Sequence, residues 1–223
     1  MDTNIRDDAY NQIKYNIIHF HYLPQQKVSE KMISTSLKLG RTPVREAIIR
    51  IEREGLIEVI PQSGTYITTI DMHLAKESRF VRESIEENVM QQAVVRVNDK
   101  NIQLLNRNMK KQELTAQSKA TDDFFDLDQD FHHTFYKIAG HDSVWQWLQL
   151  NTIQLDRFRR LRLKVPGLDW QTLLRHHQNI LNAFINKDID ELKYLTHIHT
   201  HLMLDEQQKV VERYPNYFTN IDI

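Results

Sequence analysis

The sequence predicts a mainly α-helical fold: an N-terminal winged helix-turn-helix carrying a small β-hairpin wing, then an all-α bundle of six or seven helices. Three observations lead there. Only five Gly and five Pro punctuate 223 residues, so long helices are expected. Helical spacing in the first part of the chain gives way once, to two β-branched runs around a glycine-containing turn. From Asp71 to about Val211 the apolar residues return to helical spacing. The boundary is expected between residues 71 and 72, giving domains 1–71 and 72–223.

In order, Ile13, Ile17, Ile18 and Phe20 mark a helix over 10–21 that Pro24 ends. Ser29 can cap a second helix reaching Leu37. The turn Lys38-Leu39-Gly40-Arg41 follows. Thr42 then offers an N-cap oxygen, Pro43 fits the first helical position, and Glu46 suits the positive end of the dipole. Gly55 stops that third helix. The runs 56–60 and 65–70, joined through Pro61-Gln62-Ser63-Gly64, are expected to form the wing. Beyond it, breaks are expected near Asn98, across 117–122, at Gly140, at Val165-Pro166-Gly167 and across 186–188.

Composition excludes several classes. Without cysteine the chain has neither disulfides nor thiolate metal sites. No run of eighteen apolar residues suits a membrane span, and the polar start is not a secretory signal, so a cytoplasmic protein without membrane association is expected. The net charge of −1 is uninformative, but its distribution is not. From Lys27 to Arg53, seven Lys/Arg stand against three Glu, whereas from Asp71 onward 20 basic residues stand against 22 acidic ones. One part suits phosphates and the other does not; a solvated basic helix face would give the same excess.

In a helix-turn-helix the start of the second helix enters the major groove. Here it carries Arg41, Thr42 and Arg45. Arginine can fork guanine O6 and N7, threonine can touch a phosphate or a thymine methyl, and the two arginines, four apart, share a face. Gln62, Ser63 and Gly64 sit where a wing tip would meet the minor groove. Arg50 and Arg53 are expected to be solvated or ion-paired.

The segment Gly40-Arg41-Thr42-Pro43-Val44-Arg45-Glu46-Ala47-Ile48, followed by Ile51-Glu52-Arg53-Glu54-Gly55-Leu56-Ile57, resembles the recognition region of the GntR family of regulators, Ser-Arg-Thr-Pro-Val-Arg-Glu-Ala-Leu and then Leu-Glu-x-Glu-Gly-Leu. The resemblance implies that Arg41, Thr42 and Arg45 contact operator DNA and that Gly64 lets the wing approach it. The chain departs from the pattern in having Gly40 for Ser, no Gly after Pro24, and Gln62-Ser63 where a basic residue is common.

Nine of eleven histidines follow residue 71. Helical phase separates them. Over 124–139, Asp128 and His132 lie on or beside the apolar face, while Asp126, Asp130 and His133 point away. His177 is central on the apolar face of 173–185, with His176 at its flank. His199 lies on the stripe of the last long helix, with His197 and His201 off it. A buried carboxylate needs a partner or a metal, and imidazole with carboxylate suits zinc, nickel, iron or manganese. Phase alone leaves a metal site and a hydrogen-bonded Asp/His network both open. The Trp residues are expected in core or interface. Of Arg157, Arg159, Arg160 and Arg162, one is expected to reach a pocket and most to be solvated.

Asp128-Gln129-Asp130-Phe131-His132 is similar to the Asp-x-x-Phe-His of the FadR-type (FCD) ligand-binding domain within the same family, and His177 and His199 match its two later histidines. The likeness extends over about residues 8–210. It implies that Asp128, His132, His177 and His199 hold one divalent transition metal whose coordination a small carboxylate effector completes. Arg82, in Arg82-Glu83-Ser84-Ile85-Glu86, is similar to the family's Arg-x-x-Leu-Glu; it suits forking that carboxylate, or else pairing with Glu86. The expected protein is therefore no enzyme but a regulator, a repressor by default, binding a near-palindromic double-stranded operator as a homodimer. A regulator answering to metal alone, a metallohydrolase built on the same four residues and a regulator whose pocket binds its ligand without metal are the rival readings; no His-Glu-x-x-His motif supports the second.

Overall fold

The computed structural model describes residues 2–221, with side chains from Asp7 onward. Among these residues the chain divides into two compact units, one running to Asp71 and resuming at Tyr214, the other spanning Met72–Arg213.

The first unit contains α1 (Asp2–Ile18), α2 (Glu30–Leu37) and α3 (Arg41–Arg53). Helix α1 begins earlier than its apolar stripe and ends sooner, with Phe20 already at a left-handed φ of 62°. Ser29 caps α2, its Oγ accepting from Met32 N at 3.1 Å. Lys38 then takes a left-handed φ of 56°, turning the chain toward α3. The expected Thr42 cap is corrected: α3 starts at Arg41, Gly40 is the N-cap, and no side-chain oxygen closes this end. Thr42 and Pro43 lie within the first turn, where the missing proline N–H would have had no intrahelical partner. Val44, Ala47, Ile48 and Ile51 bury the inner face of α3, which packs on α1.

The wing is β2 (Ile57–Ile60) paired antiparallel with β3 (Gly64–Ile67). A short β1 (Lys27–Val28) adds to the free edge of β3, giving the order β1-β3-β2. Two residues are too few to show alternation, so β1 has no signature in the sequence. The C-terminal tail also departs from expectation. It does not stay with the helical domain: β5 (Phe218–Thr219) pairs parallel with β4 (Ile70–Asp71), and Asn216 O accepts from Gln25 Nε2 at 2.6 Å, within the first unit.

The second unit holds seven helices among the described residues: α4 (Met72–Val94), α5 (Asp99–Ser118), α6 (Thr121–Ala139), α7 (Asp142–Asn151), α8 (Ile153–Arg162), α9 (Trp170–Asn186) and α10 (Ile189–Arg213). Asn98 caps α5, Asp169 caps α9, and Gly140 ends α6 at φ 82°. The break between α7 and α8 falls at Thr152, where neither Gly nor Pro announces it. Helix α6 runs through the core. Phe131 meets Phe135 edge-to-face at 5.2 Å, and Phe135 meets Phe184 of α9 at 5.0 Å. Burying each such ring is worth about 2–3 kcal/mol. Trp145 is buried, Trp170 donates to Leu163 O at 3.0 Å, and Trp147 is exposed. No helix among the described residues is long and apolar enough to cross a membrane.

Candidate functional site

Helix α3 presents Arg41, Thr42 and Arg45 outward, because the apolar positions Val44, Ala47, Ile48 and Ile51 take the opposite face. Arg45 is held only by a loose ion pair to Glu30 at 3.8 Å, with 72% of its side chain exposed. Arg50 is engaged differently: its guanidinium lies 3.7 Å over the Tyr10 ring and 3.3 Å from Asp7. Gln62 and Ser63 are exposed at the wing tip, Gln62 with a left-handed φ of 62°. Gly64 has φ 142°, and a Cβ there would stand 2.6 Å from Lys27 Cε. Glycine thus permits both the backbone and the approach of the lysine.

In the second unit the structure brings Asp128, His132, His177 and His199 together. One ligand atom from each lies within 4.8 Å of all the others, and all four residues are buried. Asp128 and His132, four apart on α6, converge as their phase requires, while α9 and α10 supply His177 and His199. His132 Nε2 and His199 Nε2 are 3.1 Å apart, and His177 Nε2 is 3.5 Å from Asp128 Oδ1.

The outer nitrogens of two of these rings face polar side chains. His177 Nδ1 faces Gln112 Oε1 at 2.8 Å, which assigns it the proton and leaves a lone pair on Nε2. His132 Nδ1 stands 2.9 Å from Glu86 Oε2, within ion-pair distance but without hydrogen-bond geometry. His177 Nε2 is buried without a hydrogen-bond partner. Such an orphaned acceptor, aimed at a carboxylate and two imidazoles, is costly in a hydrogen-bonded network and natural for a metal ligand. Nitrogens bound at about 2.0–2.1 Å stand roughly 3 Å apart, as His132 and His199 do. The donor set therefore fits a divalent transition metal.

The electrostatics agree with that fit. Burial, outweighing the pull of Asp128, lowers His177 to about 3. Burial, reinforced by His177 and His132, also holds His199 well below the ordinary histidine value. Burial alone would raise Asp128, but Arg159, His177 and His132 together hold it well below the usual carboxylate range. At neutral pH these groups present lone pairs and one negative charge, the state a metal requires.

Beside this cluster lies a cavity of about 60 Å³ whose wall includes Arg82, Arg159, Arg162, Asp128 and His199. Arg82 Nε donates to Glu86 Oε1 at 2.6 Å, while its Nη2 has no partner. The sequence left Arg82 either in a helix pair or at a pocket; the structure has it paired through one nitrogen and lining the cavity. Burial would lower its pKa, but Glu86 and Asp128 hold it above the ordinary value.

The basic run of α8 corrects an expectation. Arg157, Arg160 and Arg162 are buried, and Arg159 is partly so. Arg159 pairs with Asp128 and Asp156, Arg160 with Asp122 and Asp126, and Arg162 with Glu206. Acidic residues on α6 and α10 draw Arg159, Arg160 and Arg162 inward, which α8 alone cannot reveal. Gln112 and Glu86, the partners that orient the imidazoles, were not assigned to the site either. Gln112 follows Leu105 and Met109 on the buried stripe of α5, so an amide in an apolar phase was the available signal. A second cluster, Glu83, Glu87 and His197, lies nearer the surface. There Glu83 already accepts from Arg79, His197 and Thr200.

Comparison with known proteins bears on both units. The family described as bacterial regulatory proteins, gntR family, matches residues 5–67, and the FCD domain matches residues 77–202. The HTH-type transcriptional repressor RspR of Escherichia coli K12 is 27% identical over 215 residues, covering 96% of this chain and 94% of the relative. The Nta operon transcriptional regulator of Aminobacter aminovorans is 24% identical, covering 82% and 86%. Among solved structures, E. coli McbR/YncC superposes with a TM-score of 0.74 at 14% identity, covering 94% of this chain and 98% of the other, a likeness of fold.

Proposed function

Since the chain belongs to the GntR family and carries an FCD domain, we propose that it is a repressor whose operator binding is set by a small carboxylate at a metal-containing pocket. That it is a DNA-binding transcriptional regulator, not an enzyme, follows from the family itself. In this reading residues 1–71 read DNA in the cytoplasm: Arg41, Thr42 and Arg45 in the major groove, Gln62, Ser63 and Gly64 at the backbone or minor groove. Two copies bind the halves of a near-palindrome, as helix-turn-helix dimers do. Repression is supported by the name of the E. coli relative.

The observation that carries the sensing role is the convergence of Asp128, His132, His177 and His199 beside a cavity that Arg82 also lines. A divalent ion held by those four would offer an open coordination position to a carboxylate oxygen. Arg82 Nη2 supplies a charged hydrogen bond to the same carboxylate. Asp128 and Glu86 hold Arg159 and Arg82 in place. The effector acts by favouring one arrangement of the two DNA heads, a coupling typically worth 5- to 150-fold in affinity.

The test uses an operator selected from a random DNA pool by the metal-loaded full chain. Fluorescence anisotropy then follows its affinity as small carboxylates are added. At least one should change it by about tenfold or more, and only when metal is bound. Metal titration that produces the whole change without any carboxylate would make the ion itself the signal.

A further inference from the structure

The wall of the cavity says what kind of carboxylate it takes. Resting on the reading of that cavity as the effector pocket, we infer that the effector is a short monocarboxylate with an apolar body, not a sugar acid and not a dicarboxylate.

Three features carry this. The first is the lining away from the Asp/His cluster, where Phe124, Phe125, Phe158, Leu173, Leu202 and Met203 line the cavity. A polyhydroxylated body would lose its water there and find few partners, and each buried hydroxyl left unpaired costs binding. Methylenes or a ring would instead gain by leaving water.

The second is charge. Four guanidiniums, of Arg79, Arg82, Arg159 and Arg162, line the cavity, and each already faces a carboxylate: Glu83, Glu86, Asp128 with Asp156, and Glu206 respectively. Arg162 is forked by Glu206 through Nε at 2.6 Å and Nη2 at 2.9 Å, so its charge is already faced by a carboxylate, with Nη1 alone left without a partner. With a divalent ion at the cluster, six positive charges face five carboxylates, and one further anion balances them. A second carboxylate would exceed that balance, in a wall that already holds Glu206. Size sets the last limit. At about 10–15 Å³ per water, 60 Å³ admits a body of roughly four to six heavy atoms.

The experiment is isothermal titration of the metal-loaded full chain with acetate, butyrate, hexanoate and benzoate, against glucuronate and succinate. Affinity should rise about fourfold per buried methylene until the cavity is full, and hexanoate or benzoate should bind at least tenfold more tightly than glucuronate or succinate. Glucuronate or succinate binding as tightly as hexanoate would overturn this inference and leave the carboxylate pocket standing. Binding by none of the six would overturn both. Leu173→Gln, at a half-buried wall position, should flatten the rise along the series; Leu202→Gln repeats the test should the first variant fold poorly. An undiminished rise in a folded variant would remove the apolar body from this cavity.

Discussion

The two units carry their functional residues in opposite ways. In the N-terminal unit Arg41, Thr42 and Arg45 stand in solvent, and Arg45 keeps 72% of its side chain exposed. In the helical unit Asp128, His132, His177 and His199 are buried, and burial itself gives His177 and His199 their neutral state. A surface that must meet phosphates and base edges spends little on holding its side chains, because the ligand supplies the partners. A site inside a bundle must have its side chains oriented beforehand, and here Gln112 faces His177, Glu86 faces His132 and Arg159 pairs with Asp128. Substitutions in the first unit should therefore alter binding while sparing the fold; disturbances in the second should reach stability and ligand together.

Acid breaks the comparison most forcefully. His177 and His199 are neutral in the fold, whereas in the unfolded chain they protonate below about pH 6.5. Their contribution is complete above that pH and is lost as pH falls toward the folded value of about 3 for His177. The metal-free helical unit should lose on the order of 1 kcal/mol per pH unit for each of them. Tryptophan fluorescence isolates this unit, since Trp145, Trp147 and Trp170 all lie within Met72–Arg213. A melting temperature unchanged between pH 7 and pH 5 would contradict the assignment.

Arg45→Ala comes next. Specific operator affinity should fall about ten- to hundredfold, with metal content and melting temperature unchanged. Arg45→Lys sharpens the point. It should restore binding where the contact is to phosphate and fail to restore it where the guanidinium forks a guanine. Gln112→Leu should weaken metal binding by about ten- to hundredfold, the usual cost of removing a ligand's orienting partner, and leave operator binding by the metal-free protein untouched. An equal loss of metal from Arg45→Ala would mean that the two units do not divide the work as described.

The same contrast governs what the sequence made legible. The proposed DNA-reading residues fall in two short local segments, Arg41, Thr42 and Arg45 on α3 and Gln62, Ser63 and Gly64 on the wing, so local pattern alone could suggest them. The Asp/His cluster comes from three helices, yet each member sits on an apolar stripe where a polar residue is out of place, and phase picked out all four. Gln112 obeys the same rule, an amide in the apolar phase of α5, but its partner His177 lies on α9 and cannot be read from α5 alone. The burial of Arg160 and Arg162 is not legible in the sequence, because it depends on Asp122, Asp126 and Glu206 arriving from elsewhere. The pairing of Phe218 with Ile70 was hidden for a similar reason: a two-residue strand closes across nearly the whole chain.

Elemental mass spectrometry of the freshly purified chain, never exposed to chelator, tests the central claim most directly when run beside His177→Ala. The account predicts about one transition-metal ion per chain in the natural sequence and almost none in the variant, which should still bind operator DNA. Absence of metal from the natural sequence, even after dialysis against zinc, nickel or manganese, would contradict it and make the four side chains a structural network; so would equal metal in both proteins.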